Sequence, residues 1–201
     1  MNTPNNYNCY SYYFDPYYSN ITPSKQALPT IGFIGSWLDA LGTIIAAIGS
    51  TPSKTLSKKL LEDLVFIGNA FQGLGSSLVA DSPETLPNDR VGSAIQSIGN
   101  LTVMQGLLNT DEETGRVTNK SGNLLQALGA GASINYDGEI TSINNFGNGL
   151  QVLGNSLQAM ALRDNVIETD EGLVLDMVGS WVQAVGTVIS AITYEGAETG
   201  G

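Results

Sequence analysis

Six segments of this chain align without gaps, and the repeat they form constrains the fold more than any other feature. They are Ile34 to Ile45 (IGSWLDALGTII), Ile67 to Leu78 (IGNAFQGLGSSL), Val91 to Thr102 (VGSAIQSIGNLT), Ser121 to Ala132 (SGNLLQALGAGA), Phe146 to Leu157 (FGNGLQVLGNSL) and Val178 to Ile189 (VGSWVQAVGTVI). The shared pattern is apolar, Gly, Ser or Asn, any, apolar, Gln, any, apolar, Gly. The first glycines are separated by 33, 24, 30, 25 and 32 residues, so long and short spacings alternate. That alternation is expected of stacked helical hairpins whose two connections differ.

On a helix, the apolar positions of a unit fall four, three and four residues apart, as Ile34, Leu38, Leu41 and Ile45 do in the first. This is the spacing of a coiled-coil seam and predicts an ordinary apolar core face. The paired glycines form a second stripe about 90° round the helix at 100° per residue. They are Gly35 and Gly42, Gly68 and Gly75, Gly92 and Gly99, Gly122 and Gly129, Gly147 and Gly154, and Gly179 and Gly186. Twelve helical glycines forgo on the order of 10 kcal/mol against alanine, a sum that only a close helix partner offsets. Between them lies a polar position, Asp39, Gln72, Gln96, Gln126, Gln151 or Gln183. A buried amide needs partners for its carbonyl and its NH₂, so these residues are expected to lock the register between helices. The fold class that follows is all-α: six helices in three αα-hairpins, packed as a glycine-zipper bundle or short array.

Asp39 is the only charged residue in the six units; the other 26 lie between and around them. Helices so poor in charge are expected to be enclosed on several sides, by neighbours or by other copies. Units one and six are near twins, matching at nine of fourteen positions from Gly35 and Gly179 and sharing Trp37 and Trp181. Terminal repeats usually diverge, so the two ends are expected to meet, closing a six-helix bundle or joining one molecule to the next.

Residues 1–29 have neither period and are rich in Asn and Tyr. Tyr7, Tyr10, Tyr12, Tyr13, Tyr17 and Tyr18 suit an extended adhesive arm on a neighbouring subunit, and with Trp37 and Trp181 they are the candidate subunit contacts. A repeat domain over 30–194 and a flexible tail over 195–201 complete the organisation. The helices are expected at about 29–48, 53–80, 88–108, a weaker fourth after a polar loop at 109–118, 141–163 and 171–194. A short hairpin is expected at 134–140, around Asp137-Gly138.

The net charge of −11, with eight scattered basic residues, argues against nucleic acid as a partner. Histidine is absent, and no phosphate loop, dinucleotide fingerprint, nucleophile elbow or metal-ligand cluster appears, so neither enzymatic activity nor a cofactor is expected. The lone Cys9 forms no internal disulfide and leaves an intermolecular bridge open. The N-terminus lacks the basic start and apolar stretch of a Sec signal peptide, which implies cytoplasmic synthesis. Leu173 to Ile192 has the length of a membrane span and Thr30 to Ile48 nearly so, but both carry an aspartate and the middle units are more polar.

The stretch from Gly35 to Gly49 (GSWLDALGTIIAAIG) and the G-N-x-L-Q-x-L-G of later units resemble an uncharacterised family of repetitive glycine-rich proteins from spore-forming bacteria. The resemblance spans about Ile31 to Tyr194 and implies an all-helical bacterial protein, with a faint pointer to the spore. The functional expectation is a structural protein that associates with itself into an oligomer, filament or lattice, at the cell or spore surface. The alternative is a membrane-active or pore-forming glycine-zipper protein.

Overall fold

A computed structural model of the protein describes residues 30–135, 142–167 and 169–194. Among these, all regular secondary structure is helical: α1 (Ile31–Gly49), α2 (Lys58–Asp81), α3 (Pro87–Leu107), α4 (Glu112–Ala132), α5 (Ile143–Ala161) and α6 (Asp170–Ile192). The tyrosine-rich arm with Cys9, the 134–140 turn beyond Asn135 and the tail lie outside the described residues.

Capping chemistry sets the helix starts. Thr30, Ser57, Asp111, Ser142 and Thr169 each accept a hydrogen bond from the backbone N–H three residues on. Two expected boundaries move accordingly. α2 begins at Lys58 because Ser57 is its cap, while the Ser53 hydroxyl accepts from the amides of Thr55 and Leu56 and holds that stretch in a turn. The expected polar loop at 109–118 is largely helix. Asp111 caps it, acidic Glu112 and Glu113 occupy the first turn, and Glu113 pairs with Arg116 at 2.6 Å. α3 starts on Pro87, without a side-chain cap from either Asn88 or Asp89.

Consecutive helices pack on one another and α6 packs back onto α1, so the six form a closed ring; no other pair among the described residues comes into backbone contact. The closure agrees with the expectation that the two ends meet. Across it, the Trp181 indole N–H donates to the Thr51 hydroxyl at 3.0 Å, and Tyr194 shares a 2.8 Å hydrogen bond with Thr85.

Within the pairs α1–α2, α3–α4 and α5–α6 the glycines face each other in antiparallel order. Gly35 meets Gly75, Gly42 meets Gly68, Gly92 meets Gly129, Gly99 meets Gly122, Gly147 meets Gly186 and Gly154 meets Gly179. A methyl group on the first member of each pair would lie 2.5 to 2.9 Å from the second member's carbonyl oxygen, closer than carbon and oxygen tolerate. Only glycine permits this approach, which gives the backbones dispersion contact and Cα–H···O geometry.

Candidate functional site

The glycines also fix which way every other side chain points. Successive residues are turned by 100°, so with glycine on the flank facing its partner helix, one neighbour turns toward the ring axis and the other outward. Chain direction and the glycine-bearing flank both reverse from one helix to the next. The two reversals cancel, and the same order serves all six helices.

The residue after each glycine is buried in every case: Ser36, Thr43, Asn69, Ser76, Ser93, Asn100, Asn123, Ala130, Asn148, Asn155, Ser180 and Thr187. All but Ala130 are polar. The residue before each glycine is exposed, and all but Ser121 are apolar. Leu41, Leu74, Ile98, Leu128, Leu153 and Val185, one per helix, are 49 to 60% exposed. The expectation of an apolar core seam is therefore corrected. Its Ile34 and Leu41 point outward, Leu38 and Ile45 are half-buried, and the buried residues are amides and hydroxyls together with small apolar side chains, alanine and valine. The flank occupied by the glycines leaves the polar side of each helix toward the axis.

Five buried glutamines meet inside the ring. Gln183 Nε2 donates to Gln72 Oε1 at 2.9 Å and to Gln126 Oε1 at 3.1 Å, while Gln183 Oε1 accepts from Gln158 Nε2 at 2.8 Å. Gln96 Nε2 donates to Gln151 Oε1 at 2.9 Å, and Gln151 Nε2 donates to Ser190 Oγ at 3.0 Å. Both hydrogens of the Gln183 NH₂ group are thus used, and α2, α4, α5 and α6 are tied through one side chain. Gln183→Ala is expected to cost about 2 to 4 kcal/mol, because the Gln72 and Gln126 oxygens and the Gln158 amide lose their partner in a buried setting. Urea unfolding checks this against Gln105→Ala, an exposed position on α3 where a change within about 0.5 kcal/mol is expected. One turn from this layer, Asn100 Oδ1, Asn155 Oδ1 and Ser180 Oγ are buried without a protein partner.

Asp39 occupies the sixth place in the amide layer. Ser76 Oγ donates to its Oδ2 at 3.0 Å, yet burial pushes the carboxyl up to about 7, the hydroxyl only partly opposing the shift. Asp39 faces a cavity of about 630 Å³ at the end of the ring where α1, α3 and α5 begin. Asp89 lines the same cavity, and burial pushes it up to about 6. Asp176 on α6 is also raised by burial, against a hydrogen bond with Ser50.

Outside, the apolar residues make a belt round all six helices. Trp37 and Trp181 stand in it, 42 and 41% exposed. A shallow apolar cleft of about 300 Å³, lined by Leu150, Met177, Val178, Trp181, Val182 and Val185, lies between α5 and α6. Ile31–Gly49 and Asp170–Ile192 are long and apolar enough to cross a membrane, by length and composition. The order "apolar, Gly, polar" was written in the sequence at nearly every glycine. What hid its meaning was the coiled-coil spacing of the apolar residues, which ordinarily marks the inside.

Residues 30–191 match the model of DUF6944, a family of unknown function, and the chain belongs to that family. Comparison with curated proteins and with solved structures returned no match.

Proposed function

We propose that this member of a family without an assigned activity is a structural protein that packs side by side with copies of itself through the outer apolar belt. The observation that carries the reading is the outward apolar residue before eleven of the twelve paired glycines. Large apolar side chains left in water on every side of a ring need a cover, and contiguous patches of this kind mark interaction surfaces. Because the belt surrounds the ring, a single partner covers only part of it. Lateral association therefore continues into a sheet, filament or lattice rather than stopping at a dimer.

Among the described helices only α1 and α6 are long and apolar enough to cross a membrane, and the more polar helices between them favour protein over lipid as the cover of the whole belt. Arg90 just before the third unit and Lys120 just before the fourth sit at opposite edges of the belt, and most other charges lie beyond it. Those charges repel between copies at low salt, so the association is strengthened by salt. On this reading the glycine zippers act within each hairpin, building a rigid ring whose outer face is free for the neighbour. The cleft beside Trp181 is sized to take a large apolar side chain from the next copy.

Light scattering and negative-stain microscopy of purified protein test the proposal. Assemblies growing with concentration and salt are expected, and the double variant Leu128→Lys, Leu153→Lys should shift them to monomer while keeping its helical spectrum. A strict monomer at high concentration defeats the reading. Flotation with neutral lipid vesicles, insensitive to those substitutions, would replace it with the membrane-active alternative.

A further inference from the structure

Among the described residues, five of the six helix contacts that close the ring join helices consecutive in the chain, each pair tethered by its own connection. The sixth, between α6 and α1, has no tether. It is also the least extensive of the six. Across it run the Trp181 to Thr51 hydrogen bond and one between Asp176 and Ser50, and the Tyr194 hydroxyl sits against Gly32.

The α1–α2 hairpin on one side of this joint is a unit in itself, locked by Gly35 on Gly75 and Gly42 on Gly68. What holds it in the ring is its contact with α6, its contact with α3, and bonds such as Gln183 to Gln72 at 2.9 Å and the Ser97 hydroxyl to the Gly73 carbonyl at 3.0 Å. None of these requires a partner from the same chain. Only the five-residue connection 82–86 does.

That connection is already half extended. Ser82 precedes Pro83 and Leu86 precedes Pro87, and a proline keeps the residue before it out of the helical region. Ser82 accordingly lies at φ −67°, ψ 123° and Leu86 at φ −59°, ψ 146°. The turn between them folds back on one backbone hydrogen bond, Thr85 N–H to the Ser82 carbonyl at 3.2 Å, and on the Ser82 hydroxyl donating to Glu84 at 2.6 Å. Little else is lost when it straightens.

We propose that the α1–α2 hairpin exchanges between two copies of this chain, each hairpin completing the other's ring by packing α1 on the partner's α6 and α2 on the partner's α3. The glycine contacts, which lie within hairpins, are all kept, and the amide bonds re-form across chains. Swapping of identical elements is a low-cost route to a dimer because no new surface is needed. A short tether gives an effective concentration on the order of millimolar, so the closed monomer prevails in dilute protein and exchange is populated where chains fold close together. Exchange uses the joint between helices rather than the outer belt, so it is independent of side-by-side packing.

Crosslinking of full chains carrying Cys9→Ser, Leu128→Lys and Leu153→Lys, the last two to suppress contacts through the belt, tests it. One chain also carries Thr51→Cys and the other Trp181→Cys. Unfolded together and refolded at high concentration, the two should be joined by a short bis-maleimide, whereas folded chains merely mixed should not. A chain with both cysteines should link to itself in dilute solution. A second measurement needs no cysteine: light scattering after the same refolding should show a dimer whose fraction falls on the order of tenfold when four Gly and Ser residues inserted after Glu84 lengthen the connection. No link between the refolded chains, an equal yield from folded chains mixed without unfolding, or a dimer fraction indifferent to the insertion overturns the proposal. Failure of the doubly substituted chain to link at all removes the joint, and exchange with it.

Discussion

Gly42→Ala is expected to destabilise the ring by about 3 kcal/mol or more, while Gly149→Ala stabilises it by about 0.5 to 1 kcal/mol. Both substitutions replace a helical glycine by the best helix former, so local propensity favours both. What separates them is the neighbour. A methyl group on Gly42 would stand 2.6 Å from the amide nitrogen of Gln72 and 2.6 Å from the Gly68 carbonyl oxygen. These are backbone atoms of the partner helix that cannot rotate away, so α1 and α2 must part along their length. A methyl group on Gly149 meets nothing within 4 Å. For a domain whose whole stability is on the order of 5 to 15 kcal/mol, the first change is large. Equal effects in chemical denaturation would show that the close glycine contacts do not hold the pairs together.

The second large effect is a stability that falls as pH rises, opposite to common acid denaturation. Asp39 ionises near 3.8 when unfolded and near 7 when folded. Between those values the folded chain holds a proton that the unfolded chain has released, so its contribution is full below about pH 4 and is lost as pH rises through 7. Asp89, raised to about 6, acts in the same direction over a narrower window, and Asp176 adds to it. Asp39→Asn keeps the shape and removes the charge. It is expected to stabilise the protein at pH 8 by on the order of 3 kcal/mol and to leave it nearly unchanged at pH 4. Thermal unfolding across pH 4 to 8 checks this, and a variant as pH-sensitive as the parent would contradict it.

Both effects begin in features legible from the sequence, though not to the same degree. The glycine pairs, the helix count and the meeting of α1 with α6 follow from the repeat and from the twin terminal units. Asp39 stood out as the one charge among six units. The orientation of the helices did not follow, because Ile34, Leu38, Leu41 and Ile45 have the spacing that normally faces a core. In a ring of six the glycines decide instead. They occupy the side-to-side contact, leaving Thr43 and its equivalents toward the axis and Leu41 and its equivalents outside. Pro87 takes the start of α3, and Asp89, two residues on in the first turn, lines the cavity at that end of the ring.

Acrylamide quenching of the chain's two tryptophans, Trp37 and Trp181, followed from dilute to concentrated protein, tests most directly the claim of a ring with a polar inside and an adhesive apolar outside. Both stand in the belt. The account predicts ready quenching in the dilute monomer and progressive shielding as copies associate. Tryptophans shielded even in the dilute monomer, or quenched equally at every concentration, would contradict it.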